Sequence, residues 1–229
     1  MTDGKTADLE RQATISPGEQ AAMPYVPRTL ANPVPLGLLS FGTNIFMISL
    51  IGLQPRGARA SNILVPDLIF FGGSSQFFAG IIAYIGGNIY PATLFTAFGA
   101  FNLAYGMIFL PASGVLAAYT DASTGALLPE FDQAVAMFLW GWFIVAMIFT
   151  VATIRVTWVL LMALIFVDLT LLLLAIGHML GQQSCLKAGC ATGFAAGFFA
   201  CKKVWEGASG LWGNGMTPIN LPVGSLKKH

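Results

Sequence analysis

The chain has 229 residues, 56% hydrophobic and 9% charged, with a formal net charge of +1 and a mean hydropathy of +0.74. That composition excludes an ordinary soluble domain, and the near-neutral charge without a basic stripe excludes nucleic acid as a partner. Cys185, Cys190 and Cys201 make no metal-binding pair of pairs, so no metal, cofactor or enzymatic activity is expected. Cys185 and Cys190 read as unpaired apolar thiols rather than as a bridge across a short outer loop.

In chain order, residues 1–31 alternate acids and bases and contain Pro17, Pro24 and Pro27, without the apolar core of a secretory signal. A disordered cytoplasmic tail is expected there. The stretch Asn32-Pro33-Val34-Pro35-Leu36-Gly37-Leu38-Leu39-Ser40-Phe41 follows and reads as the doorway of a first membrane helix. Asn32 can cap, and Pro33 and Pro35 lack the N–H that a helix start leaves without a partner. The N–H groups of Leu36, Gly37 and Leu38 would point backwards from the first turn, which makes either an anion-binding point or simply a well-marked helix start.

A bilayer core requires roughly 20 helical residues. By that measure the first span runs about Leu36–Leu53, the second about Asp67–Ile85 behind Pro66, and the third about Ala92–Leu110 between Pro91 and Pro111. Val115–Tyr119 is too short to cross and reads as a lip or partial turn. The tract Gln133–Leu180 is long enough for two spans that turn near Thr153–Thr157. A sixth span, about Ala188–Trp205, ends early at Lys202, Lys203 and Glu206, which snorkel to the surface. The fold class is thus an all-α integral membrane protein with six transmembrane helices in one bundle per subunit. The membrane domain covers 32–208 and a cytoplasmic C-terminal tail covers 209–229. With both termini inside, Lys5, Arg11, Arg28, Arg155, Lys202, Lys203, Lys227 and Lys228 are cytoplasmic, against Arg56, Arg59 and Lys187 outside. The positive-inside rule favours that orientation, in a multi-pass protein of the cell membrane.

Polar groups inside spans are costly in lipid and mark candidate pathways. Thr43, Asn44 and Ser49 fall on span one, Ser74, Ser75 and Gln76 on span two, and Thr93, Thr96 and Asn102 on span three. Hydroxyls in such helices mostly bond their own preceding turn, whereas the amides Asn44 and Gln76 require partners and are the better pore-lining candidates. Asp168 and His178 fall on span five; Asp168 is either a proton relay or a neutral acid bonded to a neighbouring helix, and His178 is an interfacial residue. Gly189, Gly193 and Gly197 sit four apart on span six and should let another backbone approach closely.

The doorway wording, Asn-Pro-x-Pro-Leu-Gly-Leu-x-x-Phe, resembles the signature of the acetate uptake transporter family, the acetate/succinate permeases of microbes and fungi. Phe71-Gly72-Gly73-Ser74-Ser75-Gln76-Phe77-Phe78-Ala79-Gly80 resembles that family's second-helix block, and Gly87-Asn88 with Ala92-Thr93, Phe95-Thr96 and Phe98-Gly99 resembles its third. The resemblance implies transport of acetate and related short carboxylates, with succinate a further candidate, by a homo-hexamer in which each subunit has its own pore, either channel-like or proton-coupled. Carried over residue by residue, it implies a substrate pathway of Asn32, Pro33, Pro35, Leu36, Gly37, Thr43, Asn44, Gln76 and Thr96. It also implies a hydrophobic constriction of Phe41, Phe98 and Val167, where this chain departs from the family's Tyr at the second position and Leu at the third. A non-transporting membrane sensor and a carrier for ammonium or another small solute remain as alternatives.

Overall fold

The computed structural model describes residues 31–57 and 61–207. The two terminal tails, and with them the expected N-terminal disorder, lie outside the described residues, as does Arg59. Among the described residues are six helices long and apolar enough to cross a bilayer. They are α1 (Val34–Gly52), α2 (Leu64–Ile85), α3 (Ile89–Phe109), α4 (Pro129–Thr153), α5 (Trp158–Leu180) and α6 (Gln183–Gly207).

Local chemistry sets the ends. The Asn32 carboxamide accepts the Val34 N–H at 3.1 Å, a local turn ahead of α1, whose N-cap position is Pro33 and carries no side-chain cap. The Gly37 N–H is already bonded to the Pro33 carbonyl at 3.1 Å, so it is not free to point at an anion. Pro129 opens α4, with Glu130 and Asp132 in its first turn, the acid placement that a helix N-terminus favours. Between α3 and α4 stand a 3-10 turn at Pro111–Ser113, a short helix Val115–Ala118 and a bridge from Thr120 to Leu127. Bonds from the Ser123 hydroxyl, and from the Ser123 and Thr124 N–H groups, hold the Asp121 carboxyl below its ordinary pKa there.

Several ends differ from the sequence expectation: α3 begins at Ile89 rather than Ala92 and α4 at Pro129 rather than Gln133. α2 starts at Leu64, because Pro66 within a first turn costs no intrahelical hydrogen bond. α6 starts at Gln183 and continues through both lysines to Gly207. Lysine leaves the lipid by snorkelling but is a good helix former, so it ends the span without ending the helix. Lys202 Nζ sits 4.6 Å from the centroid of the Trp158 ring.

Within α2, Asp67–Ser75 winds as a π-helix. The Ser74 and Ser75 hydroxyls follow the wider turn and donate to carbonyls five residues back, those of Ile69 and Phe70, at 2.8 and 3.1 Å.

The six helices close on themselves. α6 packs along both α5 and α1, α4 along α5, and α2 along α3 and α1. The seam between α3 and α4 is aromatic: Phe98 meets Phe149, Phe101 meets Phe138 and Trp142, and Phe109 meets Phe131. The glycine stripe of α6 faces two neighbours. A side chain at Gly189 would meet the Leu174 backbone N, and one at Gly197 would meet the Gly42 carbonyl and Phe46 at 3.1 Å. Gly197→Leu should therefore destabilise the protein by about 1–3 kcal/mol through overpacking, read as a lower unfolding midpoint in detergent. A midpoint equal to wild type would show that α1 and α6 are not held this closely.

Candidate functional site

A cavity of about 60 Å³ lies at the bundle centre, lined by α1, α3, α5 and the Cys190 thiol of α6. Its wall from α1 is Phe41, Asn44, Ile45, Ile48 and Ser49, and α5 contributes Val167, Thr170, Leu171 and Leu174. A second space of about 250 Å³ shares Ile48, Tyr105, Leu174 and Cys190 with the first and reaches Gln54, His178 and Gln183. It is a vestibule at the bundle end where α1 finishes and α6 begins. Toward the doorway end the cavity meets three rings. Phe41 and Phe98 touch edge to face with centroids 5.4 Å apart, and Phe98 lies 5.7 Å from Phe149. Beyond them the Tyr90 hydroxyl is bonded to the fully buried Thr153, tying the start of α3 to the end of α4.

One wall of the cavity is a cluster of three amides. Asn44 donates from Nδ2 to Asn102 Oδ1 at 2.8 Å, and Asn102 Nδ2 donates to the Gly72 carbonyl at 2.9 Å and to Gln76 Oε1 at 3.1 Å. All three side chains are buried, Gln76 completely. Gly72 belongs to the π-helical stretch, and a side chain there would collide with the Asn44 amide. Asn44 Oδ1, Gln76 Nε2 and the Ser49 hydroxyl have no partner among the described residues. Asn44 and Ser49 face the cavity, so they can serve a small polar solute with neutral groups.

The structure brings some expected residues together and separates others. Phe41, Phe98, Val167 and Asn44 line one cavity. Gln76 stands behind Asn102 rather than on the lining, because its face of α2 turns toward α3. Thr43 is also absent from that lining. Thr96 bonds the Ala92 carbonyl of its own helix and faces an outer groove with Phe77 and Ile81. The doorway residues Asn32, Pro33, Pro35 and Leu36 lie at the far end of α1, with Gly37 buried against Phe95. Asp168 points away from the cavity: Val167 and Leu171 line it, while Asp168 has the Thr150 hydroxyl of α4 as its neighbour. One helical residue turns a side chain by about 100°, enough to take the acid off the lumen. All three cysteines are free.

Sequence reasoning left Asn102, Tyr105, Thr170 and Phe149 out of the pathway. Asn102 lies one turn after Phe98 and Thr170 one turn after Val167, so helical periodicity carried that signal. Phe149 sits in an almost continuous apolar span and had none.

Six membrane-length helices, four of which line a largely apolar cavity that carries Asn44, Ser49, Asn102 and Thr170 and is closed at one end by aromatics, define a multi-pass membrane protein. The chain belongs to the GPR1/FUN34/yaaH family, whose profile matches residues 12–228. It is 34% identical to Ammonia transport outward protein 3 of Saccharomyces cerevisiae, over 72% of this chain and 58% of that one. It is 35% identical to the succinate-acetate/proton symporter SatP of Escherichia coli, over 68% of this chain and 76% of that one. A solved structure of the bacterial acetate channel SatP superposes with a TM-score of 0.71 at 27% identity, covering 86% of this chain and all of the other. The chain thus spans less than two thirds of the length of the yeast relative.

Removing the hub of the amide cluster should be felt at every partner. Asn102→Ala leaves Asn44, Gln76 and the Gly72 carbonyl each short of a bond, and should cost about 1–3 kcal/mol in detergent or bicelle unfolding. Thr96→Ala, which loses only a bond within one turn, should stay within about 0.5 kcal/mol of wild type. Equal stability of the two variants would show that the cluster does not hold the helices.

Proposed function

We propose that this protein carries acetate and related short carboxylates, with succinate a further candidate, across the cell membrane through a pore in each subunit of a homo-hexamer. Both termini are assigned to the cytoplasm, so the vestibule faces outward and the doorway of α1 faces inward. The observation that carries the reading is the pair of adjoining spaces, vestibule and cavity, which share four lining residues, hold the unpartnered Ser49 hydroxyl and no Lys or Arg, and end at three contacting rings. Stripping water from a carboxylate costs several kcal/mol unless donors replace it. A lysine at mid-pore would hold the anion too tightly to release it, whereas amides and hydroxyls bind weakly and repeatedly. The names of the bacterial relatives support acetate and succinate.

In this reading Phe41, Phe98 and Val167 form the hydrophobic constriction, with Phe149 completing it. The substrate pathway comprises Asn44, Ser49, Asn102 and Thr170 in the cavity and the Asn32–Gly37 doorway at the inner mouth. Gln76 acts by orienting Asn102; Thr43 and Thr96 are assigned to packing. The position of Asp168 beside Thr150 favours an interhelical bond over a proton relay. A second reading, movement of ammonia or ammonium, takes its support from the yeast relative's name.

Radiolabelled acetate flux into proteoliposomes, with and without an imposed pH gradient, tests the reading. Uptake competed by excess unlabelled acetate but not by ammonium is expected, and acetate flux no greater than in empty liposomes would reject it. Phe98→Ala should remain folded, pass acetate several-fold faster and admit lactate. Its stability loss should fall at or below the low end of the about 3–5 kcal/mol for truncating a buried Phe, because one side of the ring faces the cavity. Unchanged selectivity against lactate in that variant would place the constriction elsewhere.

A further inference from the structure

One ionisable group of the vestibule has no part in the amide cluster or the aromatic closure. His178 stands in the last turn of α5, and its Nδ1 lies 2.9 Å from Oδ1 of Asp132 in the first turn of α4. The imidazole is 21% exposed and lines the vestibule with Gln54, Gln183 and Tyr105. Asp132 is 56% exposed and stands behind it, off the lining. A second bond fixes the same junction: Gln133 Nε2 donates to the Met179 carbonyl at 3.0 Å. Among the residues lining vestibule and cavity, His178 alone can carry a positive charge.

We propose that His178, positioned by Asp132, is a carboxylate subsite in the vestibule that takes up its anion together with one proton. The inference rests on the carboxylate reading of the substrate given above. An ionised carboxylate has no hydrogen to donate, so Nδ1 carries the hydrogen of the His178–Asp132 bond. In the neutral ring, Nε2 is then a bare lone pair and repels an anion. In the protonated ring, Nε2–H donates a charge-assisted hydrogen bond to one substrate oxygen. The same bound state forms when an undissociated acid enters: its O–H bond breaks, an N–H bond forms at Nε2, and the electron pair stays on the oxygen. By either route, the occupied site holds one anion and one proton more than the empty neutral site. The amides of Gln54 and Gln183 share the vestibule and can serve the second oxygen.

The ionisable groups on the surrounding elements are few. α4 carries Asp132 and, two residues earlier, Glu130; α6 carries Cys185, Lys187 and Cys190; α3 carries Tyr105; α2 carries Asp67 beside the lining residue Leu68; the segment after α1 carries Arg56. Of these, only Tyr105 and Cys190 share the lining, and neither becomes a cation. Capture at the subsite includes uptake of a proton by the imidazole, so it depends on acidity.

The test measures the KM for acetate uptake by the full chain in proteoliposomes from about pH 5 to pH 8. Wild type, His178→Gln and Asp132→Asn are compared, each first shown to fold by gel filtration and thermal unfolding, with His178→Asn replacing His178→Gln should the latter not fold. Wild-type KM, expressed as total acetate, should climb toward tenfold per pH unit at the alkaline end, the slope of one linked proton. His178→Gln should lose that slope, because an amide donates but does not titrate. Asp132→Asn should keep the slope while raising KM several-fold, as expected of a positioning residue. A slope that persists in His178→Gln overturns the proposal, since the proton is then taken up elsewhere or travels on the acid itself. An unchanged KM in Asp132→Asn removes the role given to Asp132. Absence of acetate uptake by wild type rejects the transport reading on which the subsite depends, a failure distinguishable from that of the subsite.

Discussion

Hydrocarbon offers no water to a polar group, so each amide buried among membrane helices must find its partners within the protein. Asn102 meets that requirement with three bonds to two other helices, and much of the bundle centre follows from it. Its Nδ2 reaches the Gly72 carbonyl of α2, using a second lone pair of that oxygen. Gly72 lies in the π-helical turn Asp67–Ser75, and π-turns concentrate at functional positions. Gly72 is required at the same place because the Asn44 side chain occupies the volume a Cβ would need. Of the Gly-Gly in the second-helix motif, Gly72 therefore serves the amide cluster, while Gly73 makes room for Leu103 of α3.

The cavity itself arises from unequal seams. On one side, glycines of α6 let its backbone press against α1 and α5, the close approach that packing in lipid favours. On the other, α3 and α4 meet through Phe98, Phe101, Phe109, Phe131, Phe138, Trp142 and Phe149, and the rings fill the seam. A ring of helices that is tight on one flank and ring-filled on the other leaves a lumen between the two. The same rings then close that lumen, since Phe98 belongs both to the α3–α4 seam and to the contact with Phe41.

The six spans were legible because apolar length is read directly against bilayer thickness, and the turn between α4 and α5 fell where two spans had to meet. Helix ends were less legible: Lys202 and Lys203 mark where lipid stops, not where hydrogen bonding stops. The doorway, the second-helix block and the aromatic pair were visible as motifs, yet a motif does not say which way a side chain points. Gln76 and Asp168 illustrate this. Both are polar and in mid-span, but Gln76 is turned to Asn102 and Asp168 to Thr150, away from the lumen. The π-turn was invisible, because nothing in the order of Phe71-Gly72-Gly73-Ser74-Ser75 separates an i−5 from an i−4 pattern.

The distribution of charge along the path has a physical logic under the transport reading. An attraction between unit charges about 4 Å apart is worth roughly 1 kcal/mol in water and roughly 4 kcal/mol at a protein surface, and it grows further in the interior. A cationic group deep in the lumen would therefore trap an anion, while the same group in a wet vestibule would concentrate it and still let it go. This chain has its one ionisable base of the path in the vestibule and only amides and hydroxyls in the cavity. Farther in, Phe41, Phe98 and Phe149 supply no donor at all, so the barrier there comes from desolvation and size rather than from binding. Attraction at the wet end, weak exchangeable donors in the middle and a dry constriction beyond form a descending order of affinity. An anion can move along such an order without being held at any one point.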